Sequence, residues 1–180
     1  MARAPFNRDD TLEKMAAHVL AHGLNTASLR PLAQAAGTSD RMLIYHFGSK
    51  DALITELLQT LAAKMAVGLE QALPAVRSAS LNACITDIVA LLRSPPFTPY
   101  MRVWLDIVSS AVHGNQTHLA IGAAIIDGFF DWLQERLPAD TPDPETTARA
   151  MLTLIEGTLV LDAVGQSEAA DRAIAHLFPI

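Results

Sequence analysis

Residues 28–50 read SLRPLAQAAGTSDRMLIYHFGSK, two short apolar-periodic stretches on either side of Gly37. Ser28 is a favourable N-cap and Pro31 falls inside the first turn, where its missing N–H costs little. Leu29, Leu32, Ala33 and Ala36 fall on one stripe, so the first stretch reads as a short helix that Gly37 stops. Thr38 or Ser39 then caps a second helix running to about Phe47, with Gly48 and Ser49 behind it. A residue without Cβ between the two permits the left-handed turn of a helix-turn-helix. At about 100° per residue, Leu43 and Phe47 point to a core while Thr38, Arg41 and Tyr45 form a stripe on the other side, flanked by Met42. A helix of this kind suits a major groove, with the guanidinium and small polar groups at base edges and Tyr45 or His46 at phosphates.

The surrounding chain is also helical in its periodicity: no stretch alternates apolar with polar for long, and apolar spacings of three and four recur. A first helix opens at Asp9 or Asp10, with Glu13 placed to complete a capping box, carries Leu12, Met15, Ala16, Val19 and Leu20, and ends at Gly23. After the helix-turn-helix a long fourth helix covers 50–73 and stops before Pro74; a fifth is marked by Leu81, Ile85, Ile88, Val89 and Leu92. Thr98 caps a sixth with Pro99 at its first position, fading near His113 and Gly114. The seventh covers 116–137, a proline-containing break covers 138–144, the eighth covers 145–164, and a last short helix ends near Leu177. The fold class is therefore all-α, with a helix-turn-helix domain at 1–48 and a second helical domain at 49–180.

Of the 180 residues, 51% are hydrophobic and 18% charged, which is enough apolar material for one or two cores and excludes a disordered tail. The net charge of −6 is uneven: through Lys50 six basic residues (Arg3, Arg8, Lys14, Arg30, Arg41, Lys50) face four acidic ones, +2, whereas seven face fifteen in the remainder, −8. The first part tolerates a polyanion and the second repels one. Lys50 opens a helix, where the macrodipole disfavours a cation by ~0.3–1 kcal/mol; it reads as a phosphate ligand, the alternative being a merely solvated lysine. The single cysteine, Cys84, excludes a disulfide framework and a multi-cysteine zinc site, and no uninterrupted apolar run or signal-peptide pattern is present, so a cytoplasmic protein that spans no membrane is expected.

At these residues the sequence resembles the N-terminal DNA-binding domain of the TetR family of bacterial transcriptional regulators, over about 9–53. The resemblance rests on the glycine ending the first helix, Ala33, Ala36 and Gly37 as the turn, Ser39, Leu43, the His46-Phe47 pair, and Ser49-Lys50 opening the fourth helix. It implies a dimeric regulator, by default a repressor, binding a pseudo-palindromic double-stranded DNA operator and controlled by a small-molecule effector. Carried over by position, Ser28, Tyr45, His46 and Lys50 match phosphate contacts, Arg30 reaches the DNA, and Asp40 and Arg41 occupy base-reading positions; Thr38 and Ser39 complete the expected DNA-binding set. Asp40 has two readings, acceptor from a cytosine amino group or cap of the helix. Two departures stand out. The tyrosine usual after Leu43 is Ile44, with tyrosine at Tyr45 instead, and Arg41 replaces what is commonly a small residue.

Phe97, Tyr100, Met101 and Trp104 read either as the wall of an effector pocket or as core packing, since an aromatic stripe at helical spacing serves both. The effector is expected to be small, largely apolar, and uncharged or cationic. Homodimerisation is expected through the helices at 116–137 and 144–164, where Gly122, Ala123 and Gly157 permit close approach and Ile125, Ile126, Phe129, Phe130 and Leu159 supply apolar area. Glu156 aligns with Glu145, Arg149 and Thr153 as a polar stripe. His113 and His118 are five apart and share no helix face, so no metal is expected, nor any cofactor. No nucleophile elbow, HExxH, phosphate loop or dinucleotide fingerprint occurs, and the Ser109, Ser110 and His113 cluster has no orienting carboxylate, so no catalytic residue is assigned. The alternatives are a helical protein–protein module, which needs Arg30, Arg41 and Lys50 covered by protein, and a small helical hydrolase.

Overall fold

The computed structural model describes residues 6–179; residues 1–5, which include Arg3 and the start of the 1–48 segment, and residue 180 lie outside the described residues. All regular structure among the described residues is helical: α1 (Arg8–His22), a 3₁₀ turn (Leu24–Thr26), α2 (Leu29–Ala35), α3 (Asp40–Phe47), α4 (Lys50–Ala72), α5 (Leu81–Leu92), α6 (Thr98–Val112), α7 (Gln116–Gln134), α8 (Pro144–Ala163) and α9 (Ser167–Leu177).

Several boundaries differ from the sequence reading, each for a local reason. The cap of α1 is Asn7, whose side-chain oxygen accepts from the Asp10 N–H at 3.0 Å, so the helix starts before Asp9. Glu13 completes no capping box; its carboxylate pairs with Lys64. Thr98 lies inside α6 instead of capping it, and its hydroxyl donates back to the Ser94 carbonyl at 3.1 Å. α7 stops at Gln134, short of 137, because the Arg136 and Leu137 N–H groups bond three residues back, to Leu133 and Gln134. Asp143, at φ +44°, caps α8 through the Thr146 N–H. The 3₁₀ turn was not foreseen: Asp106 on α6 accepts from the Leu24 N–H at 2.9 Å and from the Asn25 amide at 3.2 Å, supplying acceptors eighty residues away that no local pattern encodes.

The chain forms two compact units. One runs up to Ala66 and takes in Pro99–Ile125; the other takes Val67–Thr98 and the chain from Ile126 on. In the first, the apolar stripe of α1 (Leu12, Met15, Ala16, Val19) meets Leu32 and Ala33 of α2, Leu43 and Phe47 of α3, Leu53, Leu57, Leu58 and Leu61 of α4, and Val103, Ile107 and Ile121. Arg8 fastens this unit at one corner: it donates to Glu56 and to the His46 carbonyl, and its guanidinium lies 4.2 Å from the centroid of the Phe47 ring.

The second unit is built on α5, α8 and α9, with Ile85, Ile88, Met151, Ile155 and Ile174 buried. Arg136, only 2% exposed, is its polar hub. It donates to the carbonyls of Leu73 (2.9 Å) and Trp132 (2.7 Å) and to Glu70, and lies over the Trp132 ring at 4.0 Å. Arg93 forks onto Asp162 with two bonds of 2.8 Å and reaches Asp171 at 2.7 Å.

By length and a mean hydropathy of 1.3, α4 alone among the described helices is long and apolar enough to cross a membrane, a feature hidden from a search for uninterrupted apolar runs. Its leucines from 53 to 61 are spent on the core, and its Glu56 and Lys64 are paired with Arg8 and Glu13.

Candidate nucleic-acid interface

The α2–turn–α3 segment is shaped by capping at every joint. Ser28 stands at the N-cap of α2 with its side chain making no capping bond and exposed. The turn closes through Thr38 N–H to the Ala33 carbonyl at 2.9 Å, with Gly37 at φ +67°, a left-handed conformation that a Cβ disfavours. Ser39 caps α3, accepting from the Met42 N–H at 3.3 Å. This decides between Thr38 and Ser39 and removes the capping reading of Asp40, whose exposed carboxylate sits in the first turn. Gly48 at φ +84° ends α3, and the Ser49 hydroxyl caps α4 by accepting from the Ala52 N–H at 3.0 Å.

Leu43 and Phe47 are buried in the core, and the opposite stripe is displayed: Arg41 is exposed, Tyr45 is 78% exposed, and Thr38 is half-buried. Arg30 and Lys50 are exposed as well. The electrostatics sharpen the charge count. Arg8 is bound to Glu56 and Lys14 to Asp10, whereas Arg30, Arg41 and Lys50 have no ion pair among the described residues. The cations left unneutralised on this segment are thus the three that the sequence assigned to DNA.

His46 is placed differently from the expectation that it faces a phosphate. Its ring stacks on Phe6 with centroids 3.6 Å apart and planes 5° from parallel, and its Nε2 is buried without a hydrogen-bond partner. Tyr45 meets its ring edge-on at 4.9 Å. Ile44 is half-buried, so in this chain the aromatic hydroxyl is carried by the outward position 45 and the apolar side chain by 44.

The other predicted groups scatter. Phe97 lies in the second unit, buried, its ring 3.3 Å from where a Cβ on Gly68 would stand. Tyr100, Met101 and Trp104 lie in the first, where Trp104 packs against Gly122. A Cβ on Gly122 would stand 3.7 Å from Ile107 and Trp104, an ordinary contact, and Leu159 is buried in its own unit. Ile125 and Ile126 are half-buried, Phe129 stacks on Trp132 at 5.4 Å, and Phe130 lies under Arg149 at 4.7 Å. Gly157 is exposed with nothing near its Cβ position. Among the described residues no group of three or more His, Cys, Asp or Glu could hold a metal ion. Asp106, Arg136 and His118 were not singled out as structural or binding residues; the first two bond to partners more than sixty residues away, and His118 gains its setting only from the fold.

Residues 14–57 match the family model described as bacterial regulatory proteins of the tetR family. No protein of curated function matches the chain. Solved structures share its fold over nearly the whole length. A transcriptional regulator from Streptomyces coelicolor A3(2), SCO7518, is 19% identical, with 98% of this chain and 100% of that one covered and a TM-score of 0.73. A TetR transcriptional regulator from Legionella pneumophila is 20% identical, with 97% of each chain covered and a TM-score of 0.68. The multidrug binding protein EbrR, solved with imidazole, is 20% identical over 98% of this chain and 97% of that one, TM-score 0.68.

Proposed function

We propose, for a chain whose residues 14–57 match the tetR family of bacterial regulatory proteins, that it is a transcriptional repressor binding a pseudo-palindromic operator as a homodimer and controlled by a small, largely apolar effector. A DNA-binding regulator of this fold is not an enzyme. The observation that carries the reading is the helix-turn-helix whose capped α3 displays Arg41 and Tyr45 while Arg30, Arg41 and Lys50 lack an ion pair. A twofold dimer presents two such helices to half-sites on one side of a duplex.

In this reading the head is 1–48, with Arg41, Asp40 and Thr38 at base edges and Ser28, Arg30, Ser39, Tyr45 and Lys50 positioning the backbone; His46 backs Tyr45. Residues 49–180 bind the effector and dimerise. The interface uses Ile125, Ile126, Phe129, Phe130 and Gly157, extended by the exposed Leu119, Val160 and Val164. Tyr100, Met101 and Trp104 contribute to the effector site, and a fold-mate named a multidrug binding protein supports a small-molecule effector. The protein works in the cytoplasm, where the operator is.

Selecting bound fragments from genomic DNA yields the operator. On it, Arg41→Ala is expected to reduce discrimination against random duplex, while Lys50→Ala weakens binding to both and lowers the salt slope by roughly one. If both variants bind as the unmodified protein does, this surface is not the DNA site.

A further inference from the structure

Phe6 directly precedes Asn7, the N-cap of α1, a position whose apolar side chain ordinarily packs on the fourth residue of its own helix. That residue is the polar Thr11, and the Phe6 ring lies on α3, face to face with His46 and edge-on to Phe47 at 6.3 Å. Arg8 holds the same turn of α3 by its backbone, donating to the His46 carbonyl at 2.6 Å. The imidazole in turn meets Tyr45, with centroids 4.9 Å apart and planes 85° from parallel. Consecutive residues of a helix point about 100° apart, so these two rings touch only because they lean toward each other. At 78% exposed, Tyr45 has little of the core to hold its ring. His46 is also a poor residue for packing alone: its Nε2 is buried without a hydrogen-bond partner, where an apolar ring would fill the place without stranding a polar atom.

We propose that Phe6 and His46 are positioning residues for the nucleic-acid interface: Phe6 fixes the plane of the His46 imidazole, that plane fixes the ring of Tyr45, and the phenolic hydroxyl is thereby presented to a backbone phosphate in one orientation. The proposal rests on the DNA-binding reading and deepens it by adding a residue that precedes the helix-turn-helix. Stacked and edge-on pairs are the arrangements that ring quadrupoles favour, so the row Phe6, His46, Tyr45 holds its own geometry. A tyrosine held in place before the duplex arrives loses less side-chain freedom on binding than one that is free to turn. With Nε2 buried and Phe6 on its face, His46 acts on the duplex through its neighbour. The tyrosine hydroxyl is neutral and meets the backbone, so the positioning adds affinity for any sequence and releases no further counterion.

Random-sequence duplex at low salt is the probe, titrated with full-length protein. Phe6→Leu keeps an apolar side chain against the core but removes the stacked ring; it is expected to weaken binding about fivefold, the size of one neutral hydrogen bond, with the salt slope unchanged. Phe6→Tyr, which keeps the ring, binds as the unmodified protein does. Tyr45→Phe removes the hydroxyl and costs the same factor, and Phe6→Leu adds nothing to it, because both changes delete one contact. His46→Phe preserves both ring contacts and binds unchanged. A general fold defect in Phe6→Leu would weaken binding equally with and without the Tyr45 hydroxyl, so the double variant separates it from positioning. Positioning is overturned if Phe6→Leu binds like the parent, if its effect multiplies with that of Tyr45→Phe, or if Phe6→Tyr fails to restore binding. A loss in His46→Phe overturns the role of His46 and returns the imidazole to the phosphate. If Lys50→Ala lowers the salt slope while Phe6→Leu changes nothing, positioning alone fails; if the unmodified protein binds no duplex, the DNA-binding reading fails and positioning with it.

Discussion

Arg136 shows how one side chain holds elements that are distant in sequence. Its guanidinium is buried, yet each of its three nitrogens has an acceptor, two carbonyls at the ends of α4 and α7 and the Glu70 carboxylate, and its plane lies over the face of Trp132. Replacement by methionine keeps most of the apolar stem but strands the Leu73 and Trp132 carbonyls in a dry setting. Arg136→Met is expected to cost about 3 kcal/mol in urea unfolding, and Glu70→Gln less, because Glu70 is half in solvent and can rehydrate. A methionine variant as stable as the parent would show that the hub contributes nothing net. Arg136→Lys does not restore the loss, since one ammonium cannot address three diverging acceptors and stack as well.

At the scale of the element, the turn between α2 and α3 sets the direction of α3. A Cβ on Gly37 meets nothing within 4 Å, so the argument for glycine is conformational alone, at φ +67°. Gly37→Ala is expected to destabilise by about 1–2 kcal/mol, and Gly37→Asn by less, because asparagine tolerates the left-handed region. Equal stability of the alanine variant would contradict the turn. The 3₁₀ turn before α2 depends instead on Asp106, a carboxylate on α6 that caps backbone in place of solvent. Secondary structure in the first unit is thus set partly by side chains outside the segment that forms it.

For the whole molecule, buried titratable groups set the dependence of stability on pH. Burial holds His18 and His118 below the usual imidazole range, and the neighbouring His22 lowers His18 further. The unfolded chain therefore binds more protons than the native one below about pH 6.5, and stability falls as pH drops from there toward the native values. A second loss comes from carboxylates. Burial would raise Asp162, but its bonds from Arg93 and Ser167 prevail and hold it low; the Arg8 hydrogen bond does the same for Glu56. Their stabilisation is present above about pH 4.5 and is lost on further acidification. Urea midpoints at fixed protein concentration are expected to be flat above pH 7, lower at 5.5, and to fall again below 4; equal midpoints at 7.5 and 5.5 would contradict the histidine part. Pairing His18→Asn with His118→Phe should flatten the first step and leave the second.

Local rules were enough to read the helices, because N-caps, glycine stops and apolar periods of three and four act within a few residues. The helix-turn-helix was legible for that reason: Ser39, Gly37, Leu43 and Phe47 occupy in the structure the local roles that their types favour. The outward stripe of Arg41 and Tyr45 followed from the wheel alone. What lay beyond sequence was any feature made by two distant segments. Charge counting gave equal weight to every basic residue of the head, whereas the fold neutralises Arg8 with Glu56 and leaves Arg41 and Lys50 unpaired. His46 looked outward by its position and stacks on Phe6. His118 was a histidine of no metal-binding spacing until the fold buried it. Helix formation is decided by neighbours along the chain, but which charges are cancelled and which polar atoms are enclosed is decided by neighbours in space, and those exist only after folding.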